Sequence, residues 1–388
     1  MKIGFQIEHL DPARGGAETY VDRFARDLLA AGHEVHLFAT ALVDEPPGAV
    51  TCRVLRRGLS RWERDLRFAR AAGRAARRAD LDVVVAVGRT LGANVLQPHG
   101  GTLLGSRRQN LRLISSAVVR GLKEVSDWLN PRIRAQAWIE ARQYAAEPPP
   151  EVVAISRMVR RDMQEFHGVP AVRLHLVYNG VDLARFSPGA CAAARAEARR
   201  QWGLADDETC FLIVAHNFRL KGVRELVEAA GRMDRGQRWR VVVVGKGSPR
   251  SYMERAGRLG CADRFMFPGP MDDVVPAYAA CDAYLQPTWY DPCSLVVLEA
   301  LACGRPVVTT RLNGASELME DGREGFILDA PAPIEPLAEA MRRLLDADVR
   351  QRLGLAARRT AEQYPLGRNF REMLAVFEKA AARKGAGG

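Results

Sequence analysis

Several features are scarce in this chain, and each shortage narrows what it can be. No apolar run approaches the ~20 residues that a membrane-spanning helix needs. The opening Met1-Lys-Ile-Gly-Phe-Gln-Ile7 is too brief for a secretory signal and lacks a small-residue cleavage site, so a cytoplasmic location is the expectation. Cysteine is sparse: seven residues, at 52, 191, 210, 261, 281, 293 and 303, with no Cys-x-x-Cys pair among them. That spacing argues against a disulfide framework or a zinc site and leaves cysteine as a small hydrophobe. Acidic residues are outnumbered, 46 to 57, giving a formal charge of +11. Such a field favours a nucleotide, a nucleic acid or an anionic lipid as partner, though high arginine usage also follows from genome composition. No RNA- or DNA-recognition motif is present, which sets nucleic acid aside.

What is present reads as a globular protein: 47% hydrophobic and 27% charged residues over 388 positions, enough for two domains with their own cores. Residues 2–7 form a candidate strand, and 19–31 a helix with Val21, Phe24, Ala25, Leu28 and Leu29 on one face. Between them Gly15 and Gly16 permit a tight turn and close approach of backbone to a ligand, and 33–39 is the next strand. This is a βαβ unit whose glycine loop sits where parallel sheets bind ligands; an ordinary loop is the alternative. Arginines crowd 53–78 (53, 56, 57, 61, 64, 67, 70, 74, 77 and 78), several at helical spacing. They make either a solvated face or a basic surface for anionic headgroups. His99, between Pro98 and Gly100-Gly101 at a strand end, is a candidate base, hydrogen-bond donor or plain turn residue. The stretch 103–147 reads as helical and basic, stopped by Pro148-Pro-Pro150, with apolar positions that either cover a core or face an acceptor.

Asn179-Gly180 gives a turn signal, and the Ala-rich, charged 190–201 reads as an interdomain region. A second strand and helix series starts at 210–215, and its first loop, His216 to Gly222, carries Arg219 and Lys221. Val241-Val-Val-Val-Gly245-Lys-Gly247 repeats the theme, but position 250 is Arg, which leaves a dinucleotide fingerprint incomplete and argues against NAD. A helical tail, broken at Tyr364-Pro365, closes a second doubly wound α/β domain. Within it, Asp291 and Glu299 stand eight positions apart around a predicted helix at 295–302, with Ser294 as N-cap, Gly304 as stop and Pro306 opening a strand. A helix start attracts phosphate and a carboxylate accepts from hydroxyls, which suits a nucleotide sugar; capping or pairing within the fold is the alternative for Glu299.

Taken in order, these pieces resemble the family 4 retaining glycosyltransferases of GT-B fold, and within them the branch of lipopolysaccharide core glucosyltransferases. The resemblance runs from Gly15-Gly-Ala-Glu-Thr19 through Tyr178-Asn-Gly-Val-Asp182 and Lys221-Gly222 to Asp291…Glu299-Ala-Leu-Ala-Cys-Gly-Arg-Pro-Val-Val308 and Gly314-Ala-Ser-Glu317. It implies two Rossmann-like domains facing a cleft, 1–182 for the acceptor and 183–365 for the nucleotide sugar, with a last helix at 366–388 packing back on the first. It implies that Lys221 and Arg219 neutralise a leaving diphosphate, that Glu299 accepts from the ribose hydroxyls, and that Asp291 lies near the hexosyl hydroxyls. Amides of Ser294, Leu295 and Val296 would meet phosphate, with Asn217 and Gly245 alongside; Gly15 and Gly16 would approach the donor from the other domain, and His99 would position the acceptor or bond the sugar. Three departures stand out: Asp291 replaces the usual Glu, Cys293-Ser294 replaces Phe-Gly, and Arg219 is only two residues before Lys221.

The resemblance further implies metal-independent hexosyl transfer from a nucleotide-diphosphate sugar, a UDP-sugar foremost, to a glycan or lipid-linked acceptor in cell-envelope synthesis. Asp80-Leu-Asp82 and Asp346-Ala-Asp348 match a metal-site pattern by chance, and no cofactor is expected. A nucleotide-sugar epimerase on the same fold, or a non-catalytic anionic-lipid or nucleic-acid binder, are the alternatives. The basic stretches at 53–78 and 103–142 raise peripheral contact with an anionic membrane.

Overall fold

The structure is a computed structural model that describes residues 1–12, 15–54, 58–114 and 116–386. The chain divides into two compact units, the first made of Met1–Tyr178 with the segment from Phe370 onward, the second of Asn179–Asn369. The division therefore falls after Tyr178, four residues before the sequence-based boundary. Asn179 to Val181 go with the second unit because Val181 pairs with Pro365, and the Gly180 backbone lies against Pro365 and Leu366. No turn forms at Asn179-Gly180. Asn179 is buried, and its amide donates to the Cys293 carbonyl at 2.8 Å.

Besides a short separate ladder of His9–Leu10 with Ala41–Leu42, the described residues of the first unit carry a main sheet of seven strands: β1 (Lys2–Gln6), β2 (Glu34–Ala39), β3 (Val50–Arg53), β4 (Val83–Ala86), β5 (Val95–Leu96), β6 (Glu151–Ala154) and β7 (Leu174–Leu176). They form one sheet in the order β3-β2-β1-β4-β5-β6-β7 with every pairing parallel. Val83 to Ala86 are all buried, as a parallel strand covered on both faces requires. Its helices are α1 (Gly16–Ala30), α2 (Arg61–Arg78), α3 (Leu103–Arg112), α4 (Ala117–Leu129), α5 (Pro131–Tyr144) and α6 (Arg157–His167). The expected helical stretch 103–147 is thus three helices, because Ser116 and Asn130 act as N-caps inside it and Pro131 follows as the first helical residue.

On α2, Phe68, Ala69, Ala72 and Ala76 are buried while Arg61, Arg67, Arg70, Arg74, Arg77 and Arg78 face solvent. Arg56 and Arg57 of the same run lie outside the described residues. The helix starts on a Ser60–Glu63 capping box.

In the second unit come α7 (Pro188–Gln201), β8 (Thr209–Val214), α8 (Val223–Ala230), β9 (Trp239–Val244), α9 (Arg250–Arg258), β10 (Phe265–Gly269), α10 (Val275–Ala280) and β11 (Ala283–Gln286). They are followed by α11 (Leu295–Ala302), β12 (Val307–Thr310), β13 (Gly325–Leu328), α12 (Glu335–Arg343) and α13 (Ala347–Ala361). The sheet order is β10-β9-β8-β11-β12-β13, again parallel throughout. The stretch 190–201, read from sequence as interdomain, is instead α7, integral to this unit. Its last turn holds buried Arg199, whose guanidinium donates to the Ala280 carbonyl at 2.9 Å. The final helix, α14 (Leu366–Ala386), returns to the first unit, where Met373, Val376 and Phe377 join the core and Phe370 stacks on Phe24 at 4.6 Å between ring centres.

Candidate active site

In the second unit the strand order reverses between β8 and β11. The loops that leave their carboxyl ends therefore start side by side and run to opposite faces, the arrangement that opens a ligand crevice in doubly wound sheets. Residues 215–222 form the first loop and 287–294 the second. Two hydrogen bonds lock them together: the Trp289 amide and the Thr288 hydroxyl both donate to the Leu220 carbonyl, at 2.9 and 3.0 Å. Gly222 makes this possible. Its φ is +82°, and a Cβ there would lie 1.9 Å from the Pro287 carbonyl oxygen. Asn217 shapes the same loop, its side-chain oxygen accepting from the Leu220 amide at 3.1 Å and its carbonyl from the Lys221 amide at 3.0 Å.

This geometry brings Lys221 to Asp291, and the two form an ion pair. Gln286, the last residue of β11 and fully buried, holds the pair in place. Its amide donates to Asp291 Oδ2 at 3.1 Å, and its oxygen accepts from the Ser294 hydroxyl at 2.9 Å. Ser294 stands at the N-cap position of α11, but its side chain is committed to Gln286 and makes no cap. Its amide in turn donates to Asn313 Oδ1 at 3.3 Å, so it is already occupied. Leu295 and Val296 supply the first amides of α11, groups that a helix leaves without internal partners. Arg219 is exposed and makes no ion pair among the described residues.

Glu299 sits in the second turn of α11, where Tyr278 of α10 donates its hydroxyl to Glu299 Oε2 at 2.9 Å. Burial pushes the Glu299 carboxyl up to about 7; the Tyr278 hydrogen bond and the more distant Arg185 pull the other way without prevailing. Gly245 follows β9 with φ +143°, where a Cβ would lie 1.7 Å from the Ala215 carbonyl oxygen, so glycine is required for the strand end to pass the first loop.

In the first unit Gly15 precedes α1 and Gly16 is its first residue. The tight turn expected at Gly15 is not seen: its φ of 175° is extended backbone open to any residue. Glycine there leaves bare backbone at the helix start, with Glu18 the one neighbour near the missing Cβ among the described residues. His99 lies in the turn after β5, its ring 4.5 Å from that of Tyr20. Burial pushes its pKa down to about 4, and Nε2 has no hydrogen-bond partner. A neutral imidazole with a free nitrogen can donate to or accept from a ligand but cannot act as a standing positive charge.

The Asp-x-Asp segments have structural employment. Asp346 caps α13, accepting from the Asp348 and Val349 amides, and Asp82 accepts from the Lys2 amide at 2.7 Å. Tyr278, Gln286 and Asn313 are the participants that the sequence reading missed. Gln286 had left a trace, a polar residue ending an otherwise apolar strand.

Two family models match the chain, "Glycosyltransferase Family 4" over residues 14–185 and "Glycosyl transferases group 1" over 209–347, and together they take in most of it. The chain belongs to the family 4 glycosyltransferases. Among curated relatives of this family-4 chain is the D-inositol 3-phosphate glycosyltransferase of Geodermatophilus obscurus, 33% identical over 66% of this chain and 58% of the relative. Another is the alpha-D-kanosaminyltransferase of Streptomyces kanamyceticus, 30% identical over 62% of this chain and 63% of the relative. The matches thus span less than two thirds of these relatives' length. Among solved structures, WaaG, a glycosyltransferase involved in lipopolysaccharide biosynthesis, superposes with a TM-score of 0.82 at 22% identity, covering 98% of each chain. Anabaena Alr3699/HepE, solved with UDP-glucose, gives 0.71 at 19% identity over 100% of each. These likenesses establish the GT-B fold expected from the sequence.

Proposed function

We propose that this family-4 protein is a retaining glycosyltransferase that moves a hexosyl group from a nucleotide-diphosphate sugar, a UDP-sugar foremost, to a glycan or lipid-linked acceptor of the cell envelope. The observation that carries the reading is the Lys221–Asp291 pair at the point where the strand order reverses, with Glu299 on the helix that follows. An incoming diphosphate competes with Asp291 for Lys221, and with Arg219 it supplies fixed positive charge where negative charge develops on the leaving group; no divalent ion is needed in this scheme. Asp291, released from Lys221, turns to the sugar hydroxyls, while Glu299 accepts from the ribose diol. The leaving phosphate takes the acceptor's proton as the new bond forms on the same face. The UDP-glucose complex of the structurally similar HepE supports the donor class, and the WaaG likeness supports an envelope acceptor.

A membrane-side acceptor gains support from α4, which is amphipathic inside out. Asp127 is its one buried residue, accepting from Lys123 at 2.6 Å and facing Arg107 at 3.4 Å, whereas Val118, Leu122, Val125, Trp128 and Leu129 are exposed, Val118 at 74% and Trp128 at 69%. Their spacing makes one apolar stripe, with Arg108, Arg112, Lys123 and Arg134 nearby in sequence, a pattern suited to the interface of an anionic bilayer. Val118→Asp with Val125→Asp is expected to abolish co-sedimentation with phosphatidylglycerol vesicles, and unchanged binding refutes this part of the reading.

A mass-spectrometric screen of UDP-, GDP- and ADP-sugars tests the donor. Transfer or hydrolysis is expected to fall ~100-fold or more in Lys221→Ala and in Glu299→Ala. Wild-type turnover in both variants sinks the proposal, and a change of sugar stereochemistry without acceptor points instead to an epimerase.

A further inference from the structure

A second cationic bay lies at the opposite, amino-terminal edge of the same sheet. It has a volume of about 530 Å³ and is floored by Cys303 to Pro306, with α7 and α13 as walls. Asp282 immediately precedes β11 and Pro306 immediately precedes β12, which fixes the edge. Five arginines line it, Arg195, Arg305, Arg350, Arg358 and Arg359, against two carboxylates, Asp282 and Glu362.

The arginines are held largely by backbone carbonyls. Arg195 donates to the Ala279 carbonyl at 3.0 Å, Arg305 to that of Tyr278 at 3.0 Å, Arg350 to those of Leu344 and Leu345 at 2.7 and 2.8 Å, and Arg358 to that of Ala302 at 2.9 Å. Carbonyls fix a guanidinium in space but leave its charge in place, and each guanidinium has five N–H groups to offer. Asp282 is spent: it accepts from Arg195 at 2.6 Å, from Arg199 at 3.3 Å and from the Cys210 amide at 2.8 Å. Glu362 is taken by Arg358 at 2.8 Å. Arg359 at the rim is exposed and has no ion pair among the described residues. Burial, with Arg195 and Arg199 nearby, holds the Arg350 guanidinium below its usual range against the pull of Asp282 and Asp346.

A cluster of pre-positioned cations with surplus charge and its carboxylates already committed is a receptor for a multiply charged anion, because little side-chain ordering remains to oppose binding. We propose that this bay is a second anion site that takes a small soluble oligophosphate, chemically of the class of inorganic pyrophosphate, separately from the Lys221 site. The floor continues directly from the C-terminal end of α11, the helix that carries Glu299. Occupancy of the bay is therefore connected through one rigid helix to the nucleotide side of the unit.

The test is calorimetric titration of inorganic pyrophosphate into protein saturated with UDP, which occupies the Lys221 site. A Lys221→Ala background replaces UDP if UDP does not saturate, so failure of the donor reading and failure of this one are read separately. One pyrophosphate per chain is expected, weakened about tenfold by Arg350→Gln and by Arg359→Gln, with UDP affinity unchanged in the latter. Arg359 holds no carbonyl among the described residues, so its variant should fold whatever the fate of Arg350→Gln. Absence of binding at ~1 mM pyrophosphate, undiminished binding in Arg359→Gln, or equal binding of sulfate at matched ionic strength overturns the proposal.

Discussion

Donor affinity should depend on pH in a way set by Glu299. Its carboxyl titrates at about 7 because burial penalises the charged form more than the Tyr278 hydroxyl favours it. On the proposed reading ribose hydroxyls donate to the ionised form, so the nucleotide should bind that form and its binding should release a proton. With a midpoint near 7, roughly one tenth of the free protein is ionised at pH 6 and nine tenths at pH 8, so the affinity for UDP-glucose should rise about tenfold between them. UDP-glucose suits the measurement because its diphosphate is doubly esterified and keeps a constant charge over that window. Calorimetry in two buffers of different ionisation enthalpy should register close to half a proton released per nucleotide at pH 7. Tyr278→Phe removes the one hydrogen bond that lowers the Glu299 pKa, so the midpoint should move upward and affinity at pH 7 should fall. The stability sign is the opposite. A carboxyl raised from 4.5 to about 7 stabilises the fold fully below 4.5, and about 3 kcal/mol of that is lost as pH rises through 7. Affinity that is flat from pH 6 to 8, with no proton released, would refute Glu299 as the ribose acceptor.

Three further outcomes follow from the packing. Gly222→Ala should destabilise the second unit by about 2–4 kcal/mol in denaturant unfolding, since it forces a Cβ against Pro287 at a positive φ; a wild-type midpoint would mean that the two loops can part freely. Gln286→Leu should raise the donor KM about tenfold with a smaller change in kcat, because Asp291 and Ser294 lose their shared anchor; an unchanged KM removes Gln286 from the site. Asp127→Ala should cost ~1–2 kcal/mol locally and speed proteolysis within 113–130, as Lys123 and Arg107 lose their common partner; equal cleavage rates would show that α4 is held by other contacts.

The two parallel sheets were legible because buried parallel strands write continuous valine and isoleucine runs, as in Val241 to Val244, and because glycines such as Gly304 end the helices between them. Lys221, Asp291 and Glu299 were legible as charges near loop and helix starts. Their partners were not. That Lys221 meets Asp291 depends on which strands neighbour each other, a property of sheet order that spacing along 70 residues does not encode. Ser294 looked like a cap because its position is one; a buried Gln286 eight residues upstream outcompetes the helix end for its hydroxyl. Gly15 misled differently, its glycine pair suggesting a turn where the backbone is extended. The stretch 190–201 looked like a linker because alanine and charge dominate it, yet two of its arginines are tied to Asp282.

The inverted helix α4 bears on how the protein behaves in dilute buffer. Water wets its apolar stripe at a cost that no contact among the described residues relieves, and two chains can relieve it by laying stripe against stripe. Apparent mass in solution then becomes a property of what else is dissolved there. Concentration should then favour pairs and detergent micelles single chains, so a dimer seen by light scattering would report an uncovered surface rather than a quaternary structure.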